Sequence, residues 1–247
     1  MHFDQARGPE RMRIYAIGDV HGHLDLLAHM HRRIAAEIER DRPSDWRIVH
    51  LGDYVDRGPD SKGVLDFLTS VCAADCTRMV ALAGNHDIGF LDFLAEPSAD
   101  GLFALNGGCE TAASYGVELD FRTPDALRIG HEALLRAVPD AHLRFLQGLG
   151  RSTEFGDYFF CHAGIRPGIP LADQDLEDLI WIRREFLNHD GLHPKLIVHG
   201  HTPTAAVEVK PNRINIDTGA FHSGRLTALA IDGPKKYLLE VSRNVSV

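Results

Sequence analysis

Short apolar runs of strand character alternate with stretches of helical period along the first third of this chain. Residues 13–17 form one such run, mostly apolar and ending at Gly18, which predicts a buried strand. Leu24, Leu27, Met30, Ile34 and Ile38 then recur on one side of a helix predicted over residues 24–40, closed off before Pro43. A second strand is expected over 46–51. A second helix follows Pro59, carrying Val64, Leu65, Phe67 and Leu68, and a third strand over 77–83 leads into Gly84. This order of strand, helix, strand, helix, strand is that of parallel βαβ units.

From residue 90 to 149 the pattern changes to helices and loops, with turns at Asn106-Gly107-Gly108 and Ser114-Tyr115-Gly116. This stretch reads as a helical cap beside a site. Strand signals resume at 157–161 and 195–198, then at 214–216, 226–231 and 237–241, with short turns and little helix between them. The second half is therefore expected to form a more antiparallel sheet packed against the first. No internal repeat, low-complexity tract or linker interrupts the chain, so residues 1–247 are expected to be one domain with its cap at about 90–149.

Composition narrows the class without naming a chemistry. With 44% apolar and 25% charged residues over 247 positions, the chain has the makeup and length of a soluble globular protein with a sizeable core. No apolar run approaches the roughly 20 residues of a membrane helix. The stretch from Met1 to Met12 is polar and carries no apolar segment, which argues against secretion. Four cysteines in a chain of this size are no disulfide framework, and Cys72 and Cys76 read as reduced thiols. A cytoplasmic location is the expectation. The net charge of −9 speaks against a general nucleic-acid binder, which needs a basic stripe. It does not exclude an anionic substrate, because bound cations would dominate the field of an acidic pocket.

The candidate chemistry lies at the strand ends. Gly18-Asp19-Val20-His21-Gly22, the run from Gly52 through Asp53, Asp56 and Arg57 to Gly58, Gly84-Asn85-His86-Asp87, Cys161-His162 and Gly200-His201-Thr202 supply carboxylates, an amide and imidazoles. Three of these clusters follow the three predicted parallel strands, where open α/β sheets place their ligands. Any one Asp or His, taken alone, reads as a cap or a core residue. All of them together at strand ends read as a site. Carboxylate, amide and imidazole suit a pair of divalent transition metals better than one closed zinc site. Asp19 and His21 stand two apart, so extended backbone would turn both to one side. Asp53 is the natural bridge between two cations, and Asn85, His162 and His201 add neutral ligands. His29, His31, His131, His142, His189 and His193 lack such context and read as surface or helix histidines.

These residues amount to a family resemblance. The motifs GDVHG, GDYVDRG, GNHD, CHAG and HGHTP stand in the order found in calcineurin-like metallophosphoesterases, and the chain resembles their bacterial phosphoprotein phosphatase branch. The segments NGG at 106–108, SYG at 114–116, Trp181-Ile182-Arg183 and Asp217-Thr218-Gly219-Ala220 are similar to bacterial members, so the resemblance covers about residues 13–231. It implies a mixed α/β fold, a four-layer αββα sandwich of two packed sheets flanked by helices. It implies Asp19, His21 and Asp53 on one metal, and Asp53, Asn85, His162 and His201 on the other. His86 would be the general acid and Asp56 its orienting carboxylate. Arg57 and Arg183 would hold the phosphate, with Arg184 the adjacent alternative to Arg183.

Two departures from the pattern stand out. Asp87 occupies a position where many protein phosphatases have Glu, and Pro203 one where broader relatives place another metal-binding His. The second disfavours the phosphodiesterase branch. His199 reads as a structural histidine.

The implied activity is hydrolysis of phosphoserine, phosphothreonine or phosphotyrosine by a hydroxide bridging two divalent ions. Manganese is expected, with iron or zinc as alternatives. The runner-up is symmetrical dinucleoside tetraphosphate (Ap4A) hydrolysis. A non-catalytic binding module of the same fold is disfavoured by the intact set of ligands. The expected partner is a phosphorylated protein or small phosphoester, not nucleic acid or a membrane.

Overall fold

The computed structural model describes residues 1–243. The elements run β1 (Met12–Ile17), α1 (Leu24–Asp41), β2 (Asp45–His50), α2 (Ser61–Ala74) and β3 (Met79–Ala81). The chain then becomes helical through α3 (Asn85–Ala95), α4 (Leu102–Leu105), α5 (Gly108–Ser114), α6 (Pro124–Ala137) and α7 (Asp140–Gln147). It continues as β4 (Thr153–Phe155), β5 (Tyr158–Phe160), α8 (Leu176–Trp181), α9 (Arg184–Leu187), β6 (Leu196–His199), β7 (Glu208–Val209) and β8 (Arg213–Asn215). It closes with α10 (Ala220–Ser223), β9 (Arg225–Asp232) and β10 (Lys235–Ser242).

Two five-stranded mixed sheets result, ordered β10-β9-β1-β2-β3 and β4-β5-β6-β8-β7. The side-chain period of two decides which layer each residue joins. On β1, Ile14 and Ala16 enter the apolar layer between the sheets, with Val49, Tyr158, Phe160, Val198, Ile214 and Ile231. Tyr15 and Ile17 face the other way, into the cluster under α1 and α2. On the far side Phe159 and Ile197 pack against Leu179, Ile180 and Phe186 of α8 and α9. Helices, sheet, sheet, helices is the four-layer sandwich. Each fully buried Leu, Ile or Phe in these layers contributes about 1.5–3 kcal/mol relative to exposure.

The expectation for the second half needs correction. Its strands do not make one antiparallel sheet. β5, β6 and β8 pair in parallel at the centre of the second sheet, with β4 and β7 antiparallel at its edges. β9 and β10 instead return to the first sheet, β9 lying antiparallel to β1. β3 is also shorter than expected. His193 is neither on the surface nor on a helix: it is buried in a loop, stacked between Phe186 and His189. No described helix is long and apolar enough to cross a membrane, and all four cysteines are free.

Candidate active site

Six parallel strands from the two sheets end at one edge of the sandwich, and the candidate residues lie just beyond them. Asp19 and His21 follow β1, Asp53 follows β2, and Asn85 and His86 open α3 after β3. His162 follows β5, His201 follows β6, and Asp217 follows β8. The loops are tightly bent. His21, Asp53, Asp56, Arg57 and His201 all have positive φ, between 45° and 70°, although none is glycine. Such backbone costs on the order of 1–3 kcal/mol per residue and persists only where the surroundings over-determine it. This overturns the expectation of extended backbone from Asp19 to His21, because His21 turns into the left-handed region.

The donor atoms converge on Asp53. His21, Asp53 and His86 form one group, and Asp53, His162 and His201 another, each with ligand atoms within 4.8 Å of one another. Asp53 Oδ2 lies 3.4 Å from Nε2 of both His21 and His162. Asn85 Oδ1 stands 3.1 Å from His162 Nε2 and 2.8 Å from His201 Nδ1. Asp19 lies outside both groups; its two oxygens accept the His201 backbone N–H at 3.1 and 3.3 Å. A side chain at Gly84 would destroy the arrangement, since its Cβ would meet Asp53 Oδ1 at 2.1 Å.

Whether this set suits divalent cations is a matter of tautomers and charge. The Nδ1 atoms of His21 and His162 are held by the carbonyls of Val55 and Leu51, at 2.9 and 3.0 Å. Each ring donates from Nδ1, which leaves Nε2 as the nitrogen turned toward Asp53 and the one a metal ion would take in exchange for a proton. The field also calls for positive charge. Burial disfavours a charged His162, yet Asp53 and Asp19 outweigh it and push its pKa up to about 10. Asp19 is driven well above the usual carboxylate range by burial and by the neighbouring Asp217. Buried carboxylates with so few protein cations fit a site that takes two metal ions.

The other predicted site residues surround these donors. His86 Nδ1 lies 2.7 Å from Asp56 Oδ2. Arg57 reaches His21 Nε2 with Nη1 at 3.2 Å and His86 Nε2 with Nη2 at 3.0 Å. Its guanidinium carbon lies over the Phe221 ring, 4.3 Å from the centroid. Arg183 Nε is 3.0 Å from His201 Nε2, and its neighbour Arg184 makes no such approach. Asp87 accepts the N–H groups of Gly84, Asp53 and Tyr54 at 2.9, 2.8 and 2.9 Å, binding the Asp53 loop to the start of α3.

Residues missed in the sequence are Phe221 and Thr111, while Asp217 was named there only as part of a resembling segment. Phe221 directly follows the segment Asp217-Thr218-Gly219-Ala220, and Thr111 sits midway between the NGG and SYG turns, so proximity to those segments was the available signal. His199 belongs to neither donor group: fully buried, it packs edge-on to Phe186, and burial lowers its pKa to about 3.

Comparison with known proteins matches this geometry. The family model for calcineurin-like phosphoesterases covers residues 12–222. The chain is similar to serine/threonine-protein phosphatase 1 of Salmonella typhimurium, 29% identical over 88% of this chain and 91% of that protein. It is also similar to an asymmetrical bis(5'-nucleosyl)-tetraphosphatase of Anoxybacillus flavithermus, 26% identical over 86% of this chain and 88% of that one. In fold it is similar to a serine/threonine phosphatase from Saccharomyces cerevisiae, with a TM-score of 0.59 at 14% identity, covering 98% of this chain and 85% of that one.

Proposed function

The chain belongs to the calcineurin-like phosphoesterase family, and on that premise we propose that it is a metal-dependent phosphomonoesterase acting on phosphoserine and phosphothreonine in proteins. The observation that carries this reading is the 2.7 Å contact between His86 and Asp56. An alkoxide leaving from phosphoserine is strongly basic and needs a proton. A nucleotide leaving from a polyphosphate is a weak base and does not. A carboxylate-held imidazole at the site is therefore most useful to the first substrate.

Asp19, His21 and Asp53 would hold one divalent cation, and Asp53, Asn85, His162 and His201 the other. Manganese suits these oxygen and imidazole donors, as iron or zinc also would. Bound there, the pair supplies Lewis acidity toward the phosphoryl oxygens and an activated water. Arg57 and Arg183 bind the phosphoryl oxygens through paired N–H donors. Arg57 now donates to His86 Nε2. Once Arg57 turns to a phosphoryl group, that nitrogen would be free to take a proton from solvent and give it to the leaving oxygen, while Asp56 holds Nδ1. Phe221 keeps the guanidinium plane oriented.

The second reading is hydrolysis of dinucleoside tetraphosphates. It is supported by the Anoxybacillus relative, whose name specifies asymmetrical cleavage rather than the symmetrical cleavage expected above. Rates on a phosphoserine peptide and on diadenosine tetraphosphate, compared side by side with manganese, distinguish the two. A kcat/KM for the dinucleotide ten times that for several phosphopeptides would reverse the order, and unequal nucleotide products would identify the asymmetrical reaction.

A further inference from the structure

Thr111 lies on α5, far from the metal donors in sequence, yet its hydroxyl touches Asp56 twice. Thr111 Oγ1 is 2.8 Å from the Asp56 backbone nitrogen and 2.9 Å from Asp56 Oδ1. It is also 2.9 Å from Ser61 Oγ, which shares the Asp56 N–H at the longer distance of 3.1 Å. All three residues are fully buried.

A hydroxyl has one proton to give and two lone pairs. The Asp56 N–H can only donate, and an ionised carboxylate can only accept. The Thr111 proton must therefore go to Asp56 Oδ1, and the remaining lone pair must take the proton of Ser61. Every valence of this hydroxyl is used, and two of the three hold Asp56. With Oδ1 occupied by Thr111, Oδ2 is the oxygen left for His86 Nδ1 at 2.7 Å.

The same helix also holds the backbone. Gly107 O, at the start of α5, accepts the Arg57 N–H at 3.3 Å. Gly107 itself has φ of +105°, and a Cβ there would meet Arg57 N at 2.3 Å. Asp56 and Arg57 are consecutive left-handed residues at φ 70° and 66°. Strained backbone of this kind needs contacts that leave it no alternative. α5 provides them.

We propose that Thr111 is a positioning residue: it fixes the Asp56 carboxylate at two points, so that α5 sets the orientation of the His86 imidazole. Its kinetic consequence rests on the reading of His86 as general acid, while the geometric consequence does not.

The test uses the manganese-loaded full chain and the variants Thr111→Val, Thr111→Ser and His86→Asn. Thr111→Val keeps the shape and removes both the donor and the acceptor. It should lower kcat on a phosphoserine peptide by about 10- to 100-fold and on nitrophenyl phosphate by less than about threefold, a part of what general acid catalysis is worth. Metal content should not change, and Thr111→Ser should recover most of the lost rate. In protein loaded with diamagnetic zinc instead of manganese and labelled with nitrogen-15 at histidine, the hydrogen-bonded Nδ1 proton of His86 is identified by its absence in His86→Asn. That signal should shift or broaden in Thr111→Val and return in Thr111→Ser.

Equal loss on both substrates, or an unchanged His86 signal in Thr111→Val, overturns the proposal. If His86→Asn itself slows both substrates equally, the general-acid reading fails instead, and the His86 signal alone decides the role of Thr111.

Discussion

Asp56 Oδ2 and His86 Nδ1 meet at 2.7 Å in a pocket where both side chains are almost fully buried. His86 stands on the first turn of α3 and Asp56 in the loop after β2, so this contact joins two strand-end loops of the first sheet. Burial raises the Asp56 pKa, and its bond to His86 works against that rise. Replacement of His86 by Asn should keep both metals, yet reduce the rate on phosphoserine peptides about 100-fold more than on nitrophenyl phosphate. Asp56→Asn should show the same dependence less severely, because it only positions the ring. Measuring both substrates with each variant checks this; loss of metal from His86→Asn would make His86 a ligand.

Asp53 is shared by both groups of converging donors. Asp53→Asn is expected to empty both metal sites together and abolish activity, whereas Asp19→Asn should mainly empty one. Elemental analysis of the purified variants decides the point. Full metal content in Asp53→Asn would remove Asp53 from the bridge.

Asp87 accepts three backbone N–H groups at once. Asparagine has nearly the same shape but replaces one accepting oxygen with a donor, leaving at least one buried N–H unsatisfied. Asp87→Asn should therefore lose about 2–3 kcal/mol of stability in urea unfolding. It should also weaken metal binding, since Asp53 N is among the three groups. A loss below about 0.5 kcal/mol would show that these bonds matter little.

Stability should fall in mild acid, partly through a histidine pair that belongs to neither donor group. His31 Nε2 and His50 Nε2 are 2.9 Å apart, sharing one proton, and His50 Nδ1 is held by Val80 O. Burial lowers their pKa values to about 3 and about 4, below the unfolded value of about 6.5. The unfolded chain thus binds protons first, so the pair's contribution is complete above about pH 6.5 and is lost as pH falls toward 4. At about pH 5 each histidine accounts for about 2 kcal/mol. Asp87 and Asp217, raised by burial to about 7 and about 6, act in the opposite direction. The comparison must therefore be with a His31→Leu, His50→Leu double variant. Urea midpoints between pH 7 and pH 5 should fall less in that variant, and an equal fall in both proteins would exclude the pair.

The sequence by itself determined which candidate side chains stand just past the strand ends. Asp19, Asp53, Asn85, His162 and His201 each stand in or next to a short glycine-bearing turn after an apolar run, and each lies near the others in the fold. The first βαβ units were legible for the same reason, since helix period and strand alternation are properties of neighbouring residues. Tertiary structure decided what depends on distant partners. β9 lies beside β1 rather than extending the second sheet, because a strand's own pattern says which face is buried but not which edge it will join. His21 takes a left-handed turn that two-residue spacing did not foretell. Thr111 reaches Asp56 across 55 residues of chain, and Phe221 covers Arg57 from near the other terminus. A hydroxyl or a phenyl ring carries no motif of its own; only the packing of the helices and sheets gives it something to hold.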